Sequence, residues 1–192
     1  MLSAEVVVPR LRGRFGHPYQ YVESCASTQR LHDREAPEGA VAVAEEQTEG
    51  RGRLGRRWHA APGTSILVSI ALRPTVVPAR LPTLSLVAGE ACAEAIAAVT
   101  GLRPTVKFPN DLLIGGRKVA GILAEARDGR VVLGIGINVN ATASELPPDT
   151  DTPATSLSLE SGRTIDREEL LVTLLEVLER RYDAWVAAVP MT

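Results

Sequence analysis

The chain has little of the side chains that build disulfide frameworks, metal centres or base-stacking surfaces. Its 192 residues include two cysteines, three histidines and 4% aromatics. Cys25 and Cys92 are far apart and lack metal-ligand spacing, so they read as small buried hydrophobes in a reducing compartment. His17, His32 and His59 form no H-x-x-x-H pattern, which argues against a zinc site. No sign of charge dominates: the net charge is −2, which gives neither a basic field for nucleic acid nor an acidic tail. No apolar run approaches about twenty residues and no signal-peptide core opens the chain, so the expectation is no membrane span and a cytoplasmic location. Repeats and low-complexity linkers are also missing.

What is present is ordinary globular material, 45% hydrophobic and 23% charged. One domain over 1–192 is expected, large enough for a core. "YQYVE" (Tyr19–Glu23) alternates as a strand, and "SCAST" offers N-caps for a short helix from Thr28 to Arg34, stopped by Pro37 and Gly39. "AVAVAEE" (Ala40–Glu46) and "TSILVSIAL" (Thr64–Leu72) read as strands. The period then changes: Leu84, Val87, Ala91, Ala95 and Val99 fall on one helical face within Leu81–Thr100, and Gly101 suits the C′ position. A strand "RPTVKF" follows. Gly115-Gly116 and Asp128-Gly129 are hairpin turns bracketing "RKVAGILAEA" and "RVVLGIGINV". A Thr/Pro/Asp-rich loop (Ala141–Thr155) leads to a last helix begun by Asp166 and Glu169 in a capping-box-like pattern, with Leu171, Leu174, Leu178, Tyr182 and Trp185 as its stripe. Hairpins dominate the middle, so the expected class is α+β, a mixed, largely antiparallel sheet with packed helices.

The most conspicuous stretch is "GRGRLGRRW", Gly50 to Trp58. It matches G-x-G-x-x-G, but a dinucleotide fingerprint needs a helix after it and an acid about twenty residues on. Here Arg56, Arg57, Trp58 and a Pro-Gly turn follow, and no Asp or Glu occurs between Glu49 and Glu90. A P-loop is excluded because no G-K-[ST] follows. Glu45, Glu46 and Glu49 crowd the arginines, unlike a nucleic-acid patch. Two readings stay open on the residues alone: a solvated surface loop, or a mobile loop whose glycines let it fold over an anionic ligand held by arginine forks.

"VKFPND" (Val106–Asp111) is by itself a strand-terminating turn. Gly121 in the middle of "RKVAGILAE" and Gly134 and Gly136 in "GIGINVN" are strand glycines, which mark either helix packing or close approach of a ligand. On neighbouring strands they could form a slot for a thin, largely apolar molecule, beside Asn138 and Asn140.

Taken together, "STQ", "EQTEGRGRLGRRW", "KFPNDLLIGGRKVAGILAE" and "GIGINVN", in this order and spacing, closely resemble the catalytic domain of the biotin protein ligases, biotin–[biotin carboxyl carrier protein] ligases. The likeness runs from about Tyr21 to about Trp185. It implies a fold like that of class II aminoacyl-tRNA synthetases and a two-step reaction. Biotin and ATP give biotinyl-5′-AMP, and a lysine of a biotin carboxyl carrier protein then takes the biotinyl group. By position, Ser27, Thr28, Gln29, Gln47, Gly50, Gly52, Trp58, Gly121, Gly134 and Gly136 would contact biotin. Arg51, Arg53 and Lys118 would be both biotin contacts and catalytic cations. Arg53, Trp58, Asn110, Lys118 and Asn138 would lie on the nucleotide side, and Asp111 would hold Mg²⁺.

The usual Ser-Thr-Asn is Ser-Thr-Gln here, and Phe108 stands where tryptophan is usual. The 26 residues before Ser27 are too few for the N-terminal DNA-binding domain of repressor-type relatives, and the chain stops where family members usually carry a C-terminal SH3-like domain, so neither is expected here. No nucleic-acid or membrane partner is expected, and relatives that dimerise suggest a homodimer. Lipoate or octanoate enzymes of the same fold, and a biotin-binding module without catalysis, are the competing expectations.

Overall fold

The strongest strand signal forms β3 (Ser65–Leu72), all of whose residues are buried. A computed structural model describes residues 1–127, 129–148 and 152–188. Around β3 are β1 (Tyr19–Cys25), β2 (Val41–Gln47), β4 (Thr105–Lys107), β5 (Asp111–Ile114), β6 (Arg117–Arg127) and β7 (Arg130–Asn138). They form one sheet in the order β1-β2-β3-β7-β6-β5-β4. The β1–β2 pair is parallel and the other pairs are antiparallel. This bears out the α+β expectation and its mixed, largely antiparallel sheet.

The helices are α1 (Ala4–Val7), α2 (Leu84–Thr100), α3 (Leu157–Ser161) and α4 (Arg167–Ala187). One sheet face is apolar: Val43, Val68, Ile135 and Ile122 are in register across β2, β3, β7 and β6. They join one core with Ala88, Cys92 and Ile96 of α2 and Leu171, Leu174, Leu178, Tyr182 and Trp185 of α4. Gly89 of α2 abuts Val106 and Ile122, so that helix lies close to the sheet. Glu90 and Glu94 of α2 pair with Arg180 and Arg181 of α4 at the solvent edge. Asp166 caps α4 by accepting from the Glu168 and Glu169 amides at 2.8 and 3.1 Å.

Several details differ from the sequence expectation. The helix expected over Thr28–Arg34 is only a 3₁₀ turn, Thr28–Leu31. Its polar groups are claimed by tertiary bonds: Gln47 holds the Thr28 amide, and Arg130 holds the Asp33 carbonyl. The α2 helix begins at Leu84 after a 3₁₀ turn, Pro78–Thr83. Its fully buried stripe is Leu84, Ala88, Ala91, Cys92, Ala95 and Ile96, leaving Val87 and Val99 half-buried at its margin. The strand expected in "RPTVKF" keeps only Thr105–Lys107, and Phe108 leaves the sheet.

Pro78–Thr100, with mean hydropathy 1.3, is long and apolar enough to cross a membrane, contrary to the expected lack of such a run. Its apolar face is spent on α4 and the sheet. Gly115, Gly116 and Gly129 take positive φ as the hairpin turns require, while Asp128 lies outside the described residues. Cys92 is buried, which pushes its thiol up to about 12, but Cys25 is only half-buried. The helices α1 and α3 had no counterpart in the sequence reading.

The core assignment predicts that Leu133→Ala, at a fully buried β7 position, loses about 2–5 kcal/mol. Urea denaturation measures this, and a loss below about 1 kcal/mol would remove Leu133 from the core.

Candidate functional site

The second face of the sheet carries the site because its central residues are small. Ala44, Leu67, Gly136, Gly121 and Asp111 are register partners on successive strands β2, β3, β7, β6 and β5. One step along lie Ala42, Ser69, Gly134 and Leu123. The paired glycines make a flat floor on which other groups can lie directly against backbone. Above it is a cleft of about 350 Å³. Every residue assigned to the site from the sequence lines this cleft except Gly50. Gly50 is buried under the Trp58 carbonyl, where a Cβ would clash.

The "GRGRLGRRW" stretch is a narrow two-stranded ribbon. Trp58 N donates to Gly50 O at 3.0 Å, Gly52 N to Arg56 O at 2.8 Å, and Arg51 pairs with Arg57 across the ribbon. Its tip is Leu54, which has φ 56°. That left-handed conformation costs a non-glycine residue on the order of 1–3 kcal/mol. Arg51 Nη1 reaches Glu125 Oε2 on β6 at 2.9 Å, and Arg53 Nη1 reaches Asn110 Oδ1 at 3.4 Å. These bonds lay the ribbon along the cleft. Both ends of the Arg51–Glu125 pair are over a third exposed, so it orients the ribbon more than it stabilises the fold.

Trp58 fills the floor that the glycines open. A Cβ on Gly136 would lie 2.5 Å from Trp58 Cε2, and one on Gly121 2.8 Å from Cζ3. The indole Nε1 is buried without a hydrogen-bond partner. The slot read from the strand glycines is therefore real, and this chain's own indole occupies it. Gly134 faces Gln29 instead: a Cβ there would lie 3.0 Å from Gln29 Nε2. That amide donates to the carbonyls of Leu123 at 3.0 Å and Val132 at 3.3 Å, bonding to strand backbone.

At the other end of the cleft, Gln47 Oε1 accepts from the Thr28 amide at 2.8 Å and its hydroxyl at 3.1 Å, and Ser27 is almost fully buried beside them. His32 anchors this turn to β3, its Nε2 3.1 Å from both the carbonyl and hydroxyl oxygens of Ser69. Burial holds the imidazole below its ordinary 6.5, against the opposing pull of the Ser69 carbonyl.

Lys118 and Asp111 form the charged centre. Lys118 Nζ lies 2.8 Å from Asp111 Oδ1 and 5.6 Å from the centroid of the Trp58 ring. The Lys118 backbone is clamped by the segment after β7: its amide donates to Pro153 O at 2.7 Å and its carbonyl accepts from Thr155 N at 2.8 Å. Asn138 Nδ2 holds Thr155 O at 3.0 Å, so this side chain braces the clamp, while Asn140 ties to Ile165.

Asp111 is the one carboxylate lining the cleft among the described residues, against Arg51, Arg53, Arg56, Arg57, Lys107 and Lys118. Its buried Oδ1 has ion-pair contact but no bond of hydrogen-bond geometry. No group of three or more His, Cys, Asp or Glu able to hold a metal occurs among the described residues. One carboxylate, ion-paired with Lys118, suits a Mg²⁺ that takes its other ligands from substrate phosphates and water. Lys107, which donates to Thr152 Oγ1 at 3.0 Å, and Leu54, Phe108 and Pro147 were not assigned as site residues from the sequence. Lys107 had a signal, its place at the end of a strand beside Pro-Asn-Asp. Pro147, in an irregular loop, had none.

A flat glycine floor, a basic ribbon over it and one lysine–carboxylate pair define a site for a thin molecule bearing anionic groups. Residues 21–141 match the Biotin/lipoate A/B protein ligase family, and the chain belongs to that family. It is similar to the Bifunctional ligase/repressor BirA of Bacillus spizizenii, 42% identical over 171 residues that cover 84% of this chain and 53% of that protein. The Biotin–[acetyl-CoA-carboxylase] ligase of Mycobacterium tuberculosis is 41% identical over 157 residues, 80% of this chain and 58% of that one. The biotin protein ligase of Aquifex aeolicus, solved in complex with biotin and ATP, matches with a TM-score of 0.77 at 34% identity, over 85% of this chain and 69% of that chain. The chain spans about half the length of the curated relatives it matches.

Two outcomes are expected from the geometry. Gly136→Ala drives the Trp58 indole off the floor. In a Trp185→Phe background, where Trp58 is the sole remaining tryptophan, its emission then shifts to longer wavelength than in the parent. An unshifted spectrum would show that the indole does not rest there. His32 is held neutral in the fold, so as pH falls below 6.5 the unfolded chain takes up this proton first and stability declines. The urea midpoint should drop less steeply for His32→Gln, and equal slopes would sink the assignment.

Proposed function

We propose that this chain is the catalytic domain of an ATP-dependent biotin ligase acting in the cytoplasm. The observation that carries the reading is the placement of Arg51, Arg53 and Lys118 in a glycine-floored cleft where Asp111 is the one carboxylate among the described residues. Adenylation brings the biotin carboxylate up to a polyphosphate, and preorganised cations offset the repulsion. A biotin carboxylate oxygen attacks the α-phosphorus of ATP, the bond from that phosphorus to the bridging oxygen breaks, and pyrophosphate leaves. The neutral amine of a lysine on a biotin carboxyl carrier protein then attacks the biotinyl carbonyl carbon. The carbon–oxygen bond to AMP breaks, and the proton from nitrogen passes to solvent.

Within this scheme Ser27, Thr28 and Gln47 receive the polar ring end of biotin, and Gly121, Gly134 and Gly136 the apolar remainder, with Trp58 moving aside to become its cover. Asn110 lies toward the nucleotide, and Asn138 shapes that side by bracing the clamp. Asp111 would hold Mg²⁺, which supplies further charge neutralisation at the phosphates. The ribbon excludes water from the mixed anhydride. Support comes from the biotin ligases among the relatives and from the absence of any need for a side-chain nucleophile.

The test is release of pyrophosphate from MgATP on adding biotin, with lipoate as the parallel arm. Release with biotin and not lipoate is expected. Release with lipoate alone would favour a lipoate enzyme, and none with either a module without catalysis. Lys118→Ala should slow pyrophosphate release by on the order of 10²-fold. A near-normal rate would sink the role of that cation.

A further inference from the structure

Two large apolar side chains stand in solvent at the mouth of the cleft. Leu54 at the ribbon tip is 90% exposed, and Phe108 on the turn between β4 and β5 is 78% exposed. Both line the cleft opening, and the bond from Arg53 to Asn110 draws their two segments together across it. Leu54 holds a left-handed φ of 56°, which suits glycine and strains leucine. The side chain gains little burial within the chain in return. A strained, exposed apolar residue at the rim of a functional cleft points to a contact made outside the chain.

The same opening is ringed by Arg53, Arg57 and Lys107, while Asp111 lies inside and half-buried. A protein that enters here meets positive charge and two apolar knobs. Biotin and ATP need neither knob, since the glycine floor and the Lys118–Asp111 pair lie deeper. The one reactant that must stay outside while inserting a single side chain is the acceptor protein.

We propose that Leu54 and Phe108 are the docking rim for the carrier protein: a domain of acidic surface that presents its acceptor lysine beside apolar residues. This rests on the ligase reading above. Apolar contact at the rim holds the acceptor while its acidic groups face the basic ring, and the lysine passes between the ribbon and the β4–β5 turn. The rim therefore governs the second half-reaction and leaves the first untouched.

The experiment uses Leu54→Gly, which accepts the positive φ and keeps the ribbon, together with Phe108→Ser, and Phe108→Trp as the conservative variant. Three rates are compared: pyrophosphate release with biotin and MgATP, hydroxamate formation with hydroxylamine replacing the protein acceptor, and transfer to a purified biotin carboxyl carrier domain. The double variant should raise KM for the carrier domain about tenfold while the first two rates stay at the wild-type level. Phe108→Trp should keep the wild-type KM, and added salt should raise it. An unchanged carrier KM overturns the proposal. So does a parallel fall in pyrophosphate release, which would place the two residues in adenylation. Sedimentation that shows a wild-type dimer lost in the double variant also overturns it, since the rim would then serve a second copy of the chain. A wild-type protein that releases no pyrophosphate with biotin is a separate pattern, and it removes the ligase reading together with the docking rim.

Discussion

Everything at the site depends on the missing side chains at Gly121 and Gly136. They face one another across β6 and β7, where any Cβ would run into the Trp58 ring. With both bare, an aromatic ring can lie directly on strand backbone in the middle of a sheet. The ribbon above is set by that ring: Trp58 is its last residue and bonds back to Gly50. The position of the arginines then follows from the position of the ribbon, and the Lys118 ammonium sits over the same ring.

The two sheet faces divide the work. One carries valine and isoleucine into α2 and α4, where close packing stabilises the fold. The other is built of smaller residues, with Ala42, Ala44 and Ser69 buried beside the glycines, and this leaves room for groups that lie on the strands. Rigidity is thus supplied from behind the sheet. The groups that meet a ligand rest on strands that the helices already hold still, which is how a site keeps its geometry without a dense shell of its own.

Much of this was legible in the residues. β3 follows from its β-branched run, β6 and β7 from the Gly115-Gly116 and Asp128-Gly129 turn signals that bracket them, and α4 from its cap and stripe. The glycine floor was half visible: mid-strand glycines signalled either helix packing or the close approach of another group, and in the fold the Trp58 indole lies on Gly121 and Gly136. What was not legible depended on long-range bonds. The short 3₁₀ turn at Thr28 is held by Gln47, which takes the Thr28 amide, and the segment after it by Arg130 on the Asp33 carbonyl, both distant in sequence. Gln29 resembles a ligand contact, yet its amide is engaged by strand carbonyls that only the folded sheet brings near. The indole lying in its own slot could not be read either, since a tryptophan at a loop end looks the same whether it covers a ligand or replaces one. Leu54 carried no pattern at all, because exposure at a ribbon tip is a property of shape.

The clamp on Lys118 has a further meaning. Two backbone bonds, to Pro153 and from Thr155, fasten the segment after β7 to the residue that bears the central ammonium. Asn138 braces the same segment from the floor. The main chain of the lysine and residues 153–155 thus form one footing, and the ammonium reaches Asp111 from it over a flexible four-carbon stem. An edit to that segment is an edit to the root of the central charge.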